Sequence, residues 1–199
     1  LRDLGVKGLT IISNTAGIAA KTGFGWPIGE TPIDHAILIE NGQVAKVIAS
    51  FPVSASVSRQ NAFEKAFQRG DIELELVPQG TLAERIRAAG AGIPAFYTPT
   101  GAGTKLAYGK DTRLFNGREY VLEKALSADY SLIRAKFSDH IGNLTYVGTS
   151  RTFNIPMATA ATITIAEVDK VVTAECMDPE RIGTPGIYVQ RVVARGKKK

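Results

Sequence analysis

The sequence predicts an α/β fold in which a mainly parallel, open sheet is flanked by helices and carries an antiparallel hairpin excursion. In the early part of the chain, short apolar runs alternate with segments of helical spacing, as in βα units. Later, the Asn116-Gly117 pair stands between two apolar runs, which is a strong hairpin signal. An apolar content of 44% in 199 residues is sufficient for one packed core.

The early elements are predicted from the type and spacing of their apolar residues. Strands are predicted at β-branched runs or strict alternation, and helices where apolar residues recur three or four positions apart. The predicted strands are 9–13, 44–51, 71–77 and 95–97, and the predicted helices are 36–43 (a short helix or turn), 57–69 and 81–89. Thr81 is the expected N-cap of the last helix, with Glu84 in the capping-box position. Residues 18–35, rich in glycine and proline, predict an irregular loop.

The later part of the chain is predicted to contain more turns and strands. Gly142-Asn143 marks a turn, and the small apolar residues at 156–161 suit a closely packed helix. The predicted strands are 105–108, 113–115, 119–122, 129–136, 162–172 and 187–193. We expect one domain over residues 1–195, followed by a basic tail at 196–199. The chain begins at Leu1 without methionine, so we also expect upstream sequence to be missing.

Composition narrows the classes of protein to consider. The net charge of +5 comes partly from the tail, which has no aromatic residues on which bases could stack. We therefore expect no nucleic-acid partner, with RNA or phosphate binding by the tail as the alternative. The single cysteine, Cys176, excludes an internal disulfide and predicts a cytoplasmic protein. No apolar run reaches the roughly 18 residues of a membrane span, and His35 and His140 lack the spacing of metal ligands.

Polar side chains occur at the carboxyl ends of two predicted strands. Asn14 and Thr15 follow the strand at 9–13, and Gln79 follows the strand at 71–77. Ligands of open α/β sheets bind beyond such strand ends, and an amide can donate to a carboxylate without bringing a charge. These residues are therefore candidate substrate-binding residues. The alternative is structural, with Asn14 forming a turn and Gln79 capping the next helix.

A glycine-rich segment, Gly101-Ala102-Gly103-Thr104, follows the predicted strand at 95–97. It lacks the spacing of the phosphate-binding loop found in nucleotide hydrolases. We instead expect Gly101 and Gly103 to let the backbone approach a ligand or a partner chain closely.

The order of residues over most of the chain resembles the alpha subunits, also called A subunits, of the family I CoA-transferases, the heteromeric 3-oxoacid CoA-transferases. The resemblance runs from Leu1 to about Val193 and implies the fold given above. It is carried by these segments: Ser13-Asn14, Gly42-Gln43-Val44, Val77 to Thr104, Gly117 to Glu123, Gly142-Asn143-Leu144, Arg151 to Ala161 and Thr184 to Val189.

The resemblance implies roles for the polar residues. The family motif Asn-Asn-Ala-Gly holds the substrate carboxylate with two amides; Asn14 matches the first, and Thr15 replaces the second with a shorter donor. Gln79 matches an active-site glutamine near the reacting carboxylate. The nucleophilic glutamate of the family belongs to the beta, or B, subunits, so no catalytic residue is expected in this chain. Glu40, in Glu40-Asn41-Gly42, is interpreted as a helix end.

The chain also departs from the family pattern. The Gly-Gly-Phe-Gly motif that helps to bind CoA would precede Leu1, so the domain is expected to lack that segment. The similar Gly23-Phe24-Gly25 lies within what we interpret as an insertion over 18–37. Arg85 and Arg87 could meet CoA phosphates, and the alternative is that they are solvated or ion-paired.

The function implied by the resemblance is transfer of CoA from an acyl-CoA to a 3-oxo or other carboxylic acid, through a glutamyl-CoA intermediate carried by the beta subunit. CoA is then a substrate, and no bound cofactor is expected. The chain would be active only in a heterodimer or heterotetramer with that partner. Two alternatives remain: a truncated scaffold that only binds its partner, and a sugar-phosphate isomerase of related fold, for which the sequence offers no suitable acid–base pair.

Overall fold

The computed structural model describes residues 1–17, 34–54 and 60–196. The chain divides into two compact units, residues 1–82 and 83–199. No helix in these described ranges is long and apolar enough to cross a membrane.

The first unit is built on a three-stranded parallel sheet with the strand order β1-β2-β3. Its strands are β1 (Leu9–Thr15), β2 (Val44–Phe51) and β3 (Glu73–Leu76), and its helices are α1 (Ala36–Glu40) and α2 (Ala62–Gln68). Buried side chains of β2 and α2, among them Val47, Ala49 and Phe63, form the centre of its core. The predicted bounds of β2 are confirmed, whereas β1 extends two residues beyond the prediction and includes Asn14 and Thr15.

Both short helices of this unit begin or end at residues whose side chains or backbone suit that position. The Asn61 side chain accepts a hydrogen bond from Glu64 N at 2.8 Å, and Glu64 Oε2 accepts from Asn61 N at 2.8 Å, which is a capping box. Helix α1 ends at Glu40, and Gly42 follows with φ +65°. The interpretation of Glu40-Asn41-Gly42 as a helix end is therefore confirmed.

Helix α3 (Gln79–Gly90) begins two residues earlier than predicted. Its first hydrogen bond joins Leu82 N to Pro78 O at 2.8 Å, so Pro78 directly precedes the helix and Gln79 is its first residue. The predicted N-cap role of Thr81 is wrong, because Thr81 is the third helical residue and is buried. Glu84 makes an ion pair with Arg87 one turn later, with Oε1 and Nη2 2.6 Å apart.

The second unit contains two sheets and helix α4 (Asn154–Thr159). A small antiparallel sheet, in the order β4-β6-β5, consists of β4 (Ala95–Thr98), β5 (Thr112–Phe115) and β6 (Arg118–Lys124). A four-stranded sheet, in the order β10-β9-β7-β8, consists of β7 (Ala128–Ser138), β8 (Leu144–Thr145), β9 (Ala161–Val171) and β10 (Arg191–Ala194). Its β7–β9 and β9–β10 pairs are parallel. The predicted α/β class is confirmed, with the parallel strands divided between two sheets.

The predicted hairpin is confirmed between β5 and β6, where Phe115 pairs with Arg118. Asn116 and Gly117 have φ values of +50° and +76°. Two consecutive positive φ values match the right-handed twist of the strands, which explains why Asn-Gly occupies this turn.

Two strand predictions in the second unit are wrong. Lys105–Ala107 is a 3-10 helix, capped by Thr104 Oγ1, which accepts a hydrogen bond from Leu106 N at 3.2 Å. Gly186–Tyr188 is also a 3-10 helix, and strand β10 begins only at Arg191. Gly186 N donates to Asn143 Oδ1 at 2.8 Å, and this contact with the neighbouring turn holds the segment out of the extended conformation.

Candidate functional site

The candidate site of the first unit lies where β1 ends. Asn14 and Thr15 are the last residues of this strand, and Thr15 pairs with Phe51, the last residue of β2. Strand pairing therefore stops at Thr15. The side chains at this edge can hydrogen-bond with each other or with a ligand.

Gln79 and Asn14, which are 65 positions apart in the sequence, meet at this edge. Gln79 Nε2 donates a hydrogen bond to Asn14 Oδ1 at 2.9 Å. Gln79 is exposed and Asn14 is half-buried. Each amide group carries two N–H donors, so the Asn14 Nδ2 hydrogens and the second Gln79 hydrogen are left to serve a ligand.

Thr15 is held on both its side chain and its backbone. Its Oγ1 accepts a hydrogen bond from Gly17 N at 3.4 Å, and its carbonyl oxygen lies 3.1 Å from His35 Nε2. A carbonyl can only accept, so His35 Nε2 carries the proton and donates it. Because Thr15 Oγ1 acts as an acceptor towards Gly17, the hydroxyl hydrogen can still be donated to a ligand.

Backbone packing directly follows the site. Gly17 has φ +87°, and a Cβ atom placed on it would lie 2.7 Å from Ala36 Cβ and 2.9 Å from Asp34 Oδ1. The turn after β1 is thus packed against the residues that begin α1, with no room for a side chain.

His35 is a site residue that the sequence did not reveal. It was assessed only as a metal ligand, and its contact with Thr15 spans 20 positions without any motif. Burial lowers the pKa of the His35 imidazole, while the charge of Asp34 and the hydrogen bond to the Thr15 carbonyl oppose that shift. The side chain therefore favours the neutral form.

The amino end of α3 adds further donors beside Gln79. The N–H groups of Gln79, Gly80 and Thr81 precede the first hydrogen bond of this helix. The helix dipole places partial positive charge at this end, which favours an anion. The edge thus combines uncharged amide, hydroxyl and backbone donors, a set that suits a carboxylate group.

The glycine-rich segment belongs to the second unit and is stabilised by its own hydrogen bonds. Gly101 and Gly103 have φ values of +87° and +70°, a region that favours glycine. Thr104 Oγ1 donates to Gly101 O at 2.7 Å. A Cβ atom at Gly103 would meet nothing within 4 Å. Backbone conformation explains both glycines, and close approach to a ligand or partner chain stays a prediction.

The two arginines considered for CoA phosphates are used within the chain. Arg85 is only 7% exposed, and its Nε donates to Lys124 O at 2.8 Å. Arg87 donates to both carboxylate oxygens of Glu84, at 2.9 and 2.6 Å. Of the two alternatives, the contacts match ion pairing.

A pocket of about 280 Å³ lies in the first unit between α1 and α2. It is lined by Ile39, Glu40, Gln60, Asn61, Ala62, Lys65 and Arg69, and so by none of the predicted site residues. Within the ranges that the structure describes, no group of three or more histidine, cysteine, aspartate or glutamate residues could hold a metal ion. Gly23-Phe24-Gly25, residues 18–33 of the expected insertion, the 55–59 part of the predicted second helix and residues 197–199 lie outside those ranges.

Fold and site together define an α/β protein whose parallel sheet ends in uncharged donors suited to an organic acid. The Coenzyme A transferase family profile matches residues 1–195. The chain belongs to this family.

The relatives within the family are A subunits. Over 193 residues the chain is 48% identical to that of the probable succinyl-CoA:3-ketoacid coenzyme A transferase of Bacillus subtilis (strain 168), covering 97% of this chain and 74% of the relative. Over 190 residues it is 52% identical to that of the 3-oxoadipate CoA-transferase of Pseudomonas putida, covering 96% and 76%. The crystal structure of glutaconate coenzyme A-transferase from Acidaminococcus fermentans has the same fold, with a TM-score of 0.75 at 20% identity, covering 97% of this chain and 63% of that chain.

Proposed function

We propose that this chain is the alpha subunit of a CoA-transferase that moves CoA between an acyl-CoA and a 3-oxo or other carboxylic acid. The observation that carries the proposal is the hydrogen bond between Gln79 and Asn14 at the carboxyl end of β1. It joins the two amides that the family resemblance assigns to the substrate carboxylate. Relatives named as A subunits of succinyl-CoA:3-ketoacid and 3-oxoadipate CoA-transferases support the same conclusion.

The nucleophile of the proposed chemistry is a glutamate of a companion beta subunit. Its carboxylate attacks the thioester carbonyl of the acyl-CoA, and CoA leaves as a thiolate to give an acyl-glutamyl anhydride. The thiolate then attacks the glutamyl carbonyl, which releases the first acid and forms a glutamyl-CoA thioester. The acceptor carboxylate attacks that thioester and expels the thiolate, forming a second anhydride. Attack of the thiolate on its acyl carbon yields the new acyl-CoA and restores the glutamate.

This chain supplies positioning in that sequence of steps. The acceptor acid and the glutamate are both anions, so their approach is opposed by charge repulsion. Amide and hydroxyl donors from Asn14, Gln79 and Thr15 lower that repulsion without forming an ion pair that would hold the acid too tightly in the ground state. CoA is a substrate of this reaction, and no step requires a bound cofactor.

The assembly proposed is a cytoplasmic heterodimer or heterotetramer that contains the beta subunit. The glutamyl-CoA intermediate forms on that companion, so this chain by itself has no CoA-transferase activity.

A reconstitution experiment tests the proposal. The chain is co-purified with the beta subunit of a 3-oxoacid CoA-transferase, and CoA exchange is followed from succinyl-CoA to acetoacetate or 3-oxoadipate. We expect ping-pong kinetics in the complex and no activity in either chain alone. Borohydride should trap a thioester on the beta subunit. A thioester trapped on this chain, or a stable complex that is inactive with every acid, would contradict the proposal; the second result would favour a scaffold that only binds its partner.

A further inference from the structure

We propose that His35 is a positioning residue of this site: it donates a hydrogen bond to the carbonyl of Thr15 and so fixes the end of β1, from which Asn14 presents its amide to the carboxylate. The inference rests on the proposed function, because it assigns His35 a part in holding the same acid. It adds a residue that neither the motif nor the family resemblance indicates.

The position of His35 in the fold leaves its side chain available for this contact. His35 is the residue immediately before α1, a place where a side chain commonly caps the helix. Its side chain makes no capping bond there, and Asp34 Oδ1 instead accepts a hydrogen bond from Ala36 N at 2.9 Å. The imidazole reaches across to β1, with Nε2 3.1 Å from the Thr15 oxygen.

The end of β1 needs such a contact, because β1 lies at the edge of its three-stranded sheet and its pairing with β2 stops at Thr15. Beyond that point the sheet no longer orients the backbone. The Gly17 turn is packed against Ala36, and the His35 bond fixes the intervening peptide. Thr15 is therefore held from the α1 side directly next to Asn14.

The charge state of His35 agrees with a positioning role. Burial lowers its pKa, so near neutral pH the ring is uncharged with its proton on Nε2. Asp34 is the charged neighbour identified in that shift. A neutral imidazole brings no cation to the acid and leaves binding to the amides and the hydroxyl.

Two variants of the assembled enzyme test the inference. His35→Leu keeps a side chain of similar bulk but removes the donor, whereas His35→Gln keeps an N–H at a similar reach. Loss of one neutral hydrogen bond predicts that His35→Leu raises the KM for the carboxylate acceptor about threefold to tenfold. The KM for acyl-CoA should stay within about twofold, and His35→Gln should restore most of the acceptor KM. A purely structural residue would not separate the two substrates.

A second readout does not depend on activity. With this chain alone labelled within the complex, 13C-carbonyl threonine and 15N-alanine mark the Thr-Ala peptides at 15–16, 159–160 and 173–174. We expect His35→Leu to shift one of these three carbonyl signals, and His35→Gln to return it towards the wild-type position.

The two readouts separate the ways of failing. Unchanged carbonyl signals in His35→Leu would overturn the contact itself. A shifted signal with equal acceptor KM in all three proteins would overturn the positioning role, as would equal losses for both substrates. If the wild-type complex exchanges no CoA with any acid, the proposed function fails before the variants are compared, and the positioning role falls with it.

Discussion

The exposed amide pair Asn14–Gln79 and the buried cluster Arg85–Glu123–Lys110 are two polar groupings of opposite character. The first joins two neutral side chains through one hydrogen bond of 2.9 Å. In the second, Glu123 is 4% exposed; its Oε1 lies 2.6 Å from Lys110 Nζ, and its Oε2 lies 3.9 Å from Arg85 Nε. The buried cluster ties α3 to β6 and to the segment before β5.

The difference shows where this protein uses charge. A charge can be buried only if partners replace its hydration, and the donors engaged in that way are no longer available to a ligand. Neutral amides at a sheet edge cost little to keep partly unpaired, so they retain donors for a substrate. The cluster therefore serves folding, and the amide pair serves binding.

Removing the buried carboxylate should have the largest effect on stability. Glu123→Ala takes away the counter-ion of the buried Arg85, and the expected loss in the free energy of unfolding is about 3 kcal/mol. Thermal or denaturant unfolding measures it, with Glu119→Ala, an exposed position on the same strand, as the control. If both variants unfold at the same midpoint, the buried cluster does not stabilise the fold.

Gln79→Ala should reverse that pattern by impairing function without loss of stability. Loss of a hydrogen bond to a charged carboxylate, about 1.5–3 kcal/mol, lowers kcat/KM about tenfold to a hundredfold. Gln68→Ala, an exposed position at the end of α2, is the matched control. An unchanged rate with a lower melting temperature would assign Gln79 to the first turn of α3 instead.

The Asn14 amide is expected to affect the acid more than acyl-CoA. Asn14→Ala should raise the KM for the carboxylate at fixed acyl-CoA, and Thr15→Asn should lower it by supplying a longer amide donor. Since Asn14 and Gln79 are in contact, the double variant should lose less than the sum of the two single effects. Equal KM values in wild type and both single variants would leave residues 14 and 15 as an ordinary turn.

The smallest effect is expected for charges on the exposed face of the four-stranded sheet. Hydrogen bonds from Arg134, and then Lys136, lower the pKa of Asp169 to about 2. The stabilisation is present above the unfolded-state pKa, near 3.9, and is lost as the pH falls through the folded value. Because this pair is solvent-exposed, Asp169→Asn should barely change the melting temperature at neutral pH. A drop as large as that of Glu123→Ala would erase the distinction between buried and exposed charges.

Local signals in the sequence were sufficient for much of the fold. The Asn116-Gly117 hairpin, the bounds of β2 and the helix end at Glu40 follow from turn chemistry and apolar runs of nearby residues. The family followed from the order of specific segments. These features depend on residues that are close in sequence, or on a long ordered match.

What the sequence did not show depends on contacts between distant residues. The segment at 187–193 has the composition of a strand, but Gly186 is held by the turn at Asn143. Thr81 has the chemistry of an N-cap, yet Pro78 starts α3 earlier and Thr81 is buried. The His35 contact with Thr15 comes from tertiary packing alone. At the candidate site, the sequence supplied Asn14, Thr15 and Gln79, and the structure added the Asn14–Gln79 bond.

The crowding around Gly17 has a consequence for attempts to redesign which acid this enzyme accepts. A methyl group at position 17 would overlap Ala36 and Asp34, and the backbone there has a positive φ that other residues adopt poorly. Libraries that vary this position will consist mostly of proteins with a displaced β1 end. Diversity is better placed at Thr15, where the hydroxyl borders the acid, and at Phe51, an exposed neighbour on β2. The segment thus divides into a residue that selection can reshape and one that it must keep.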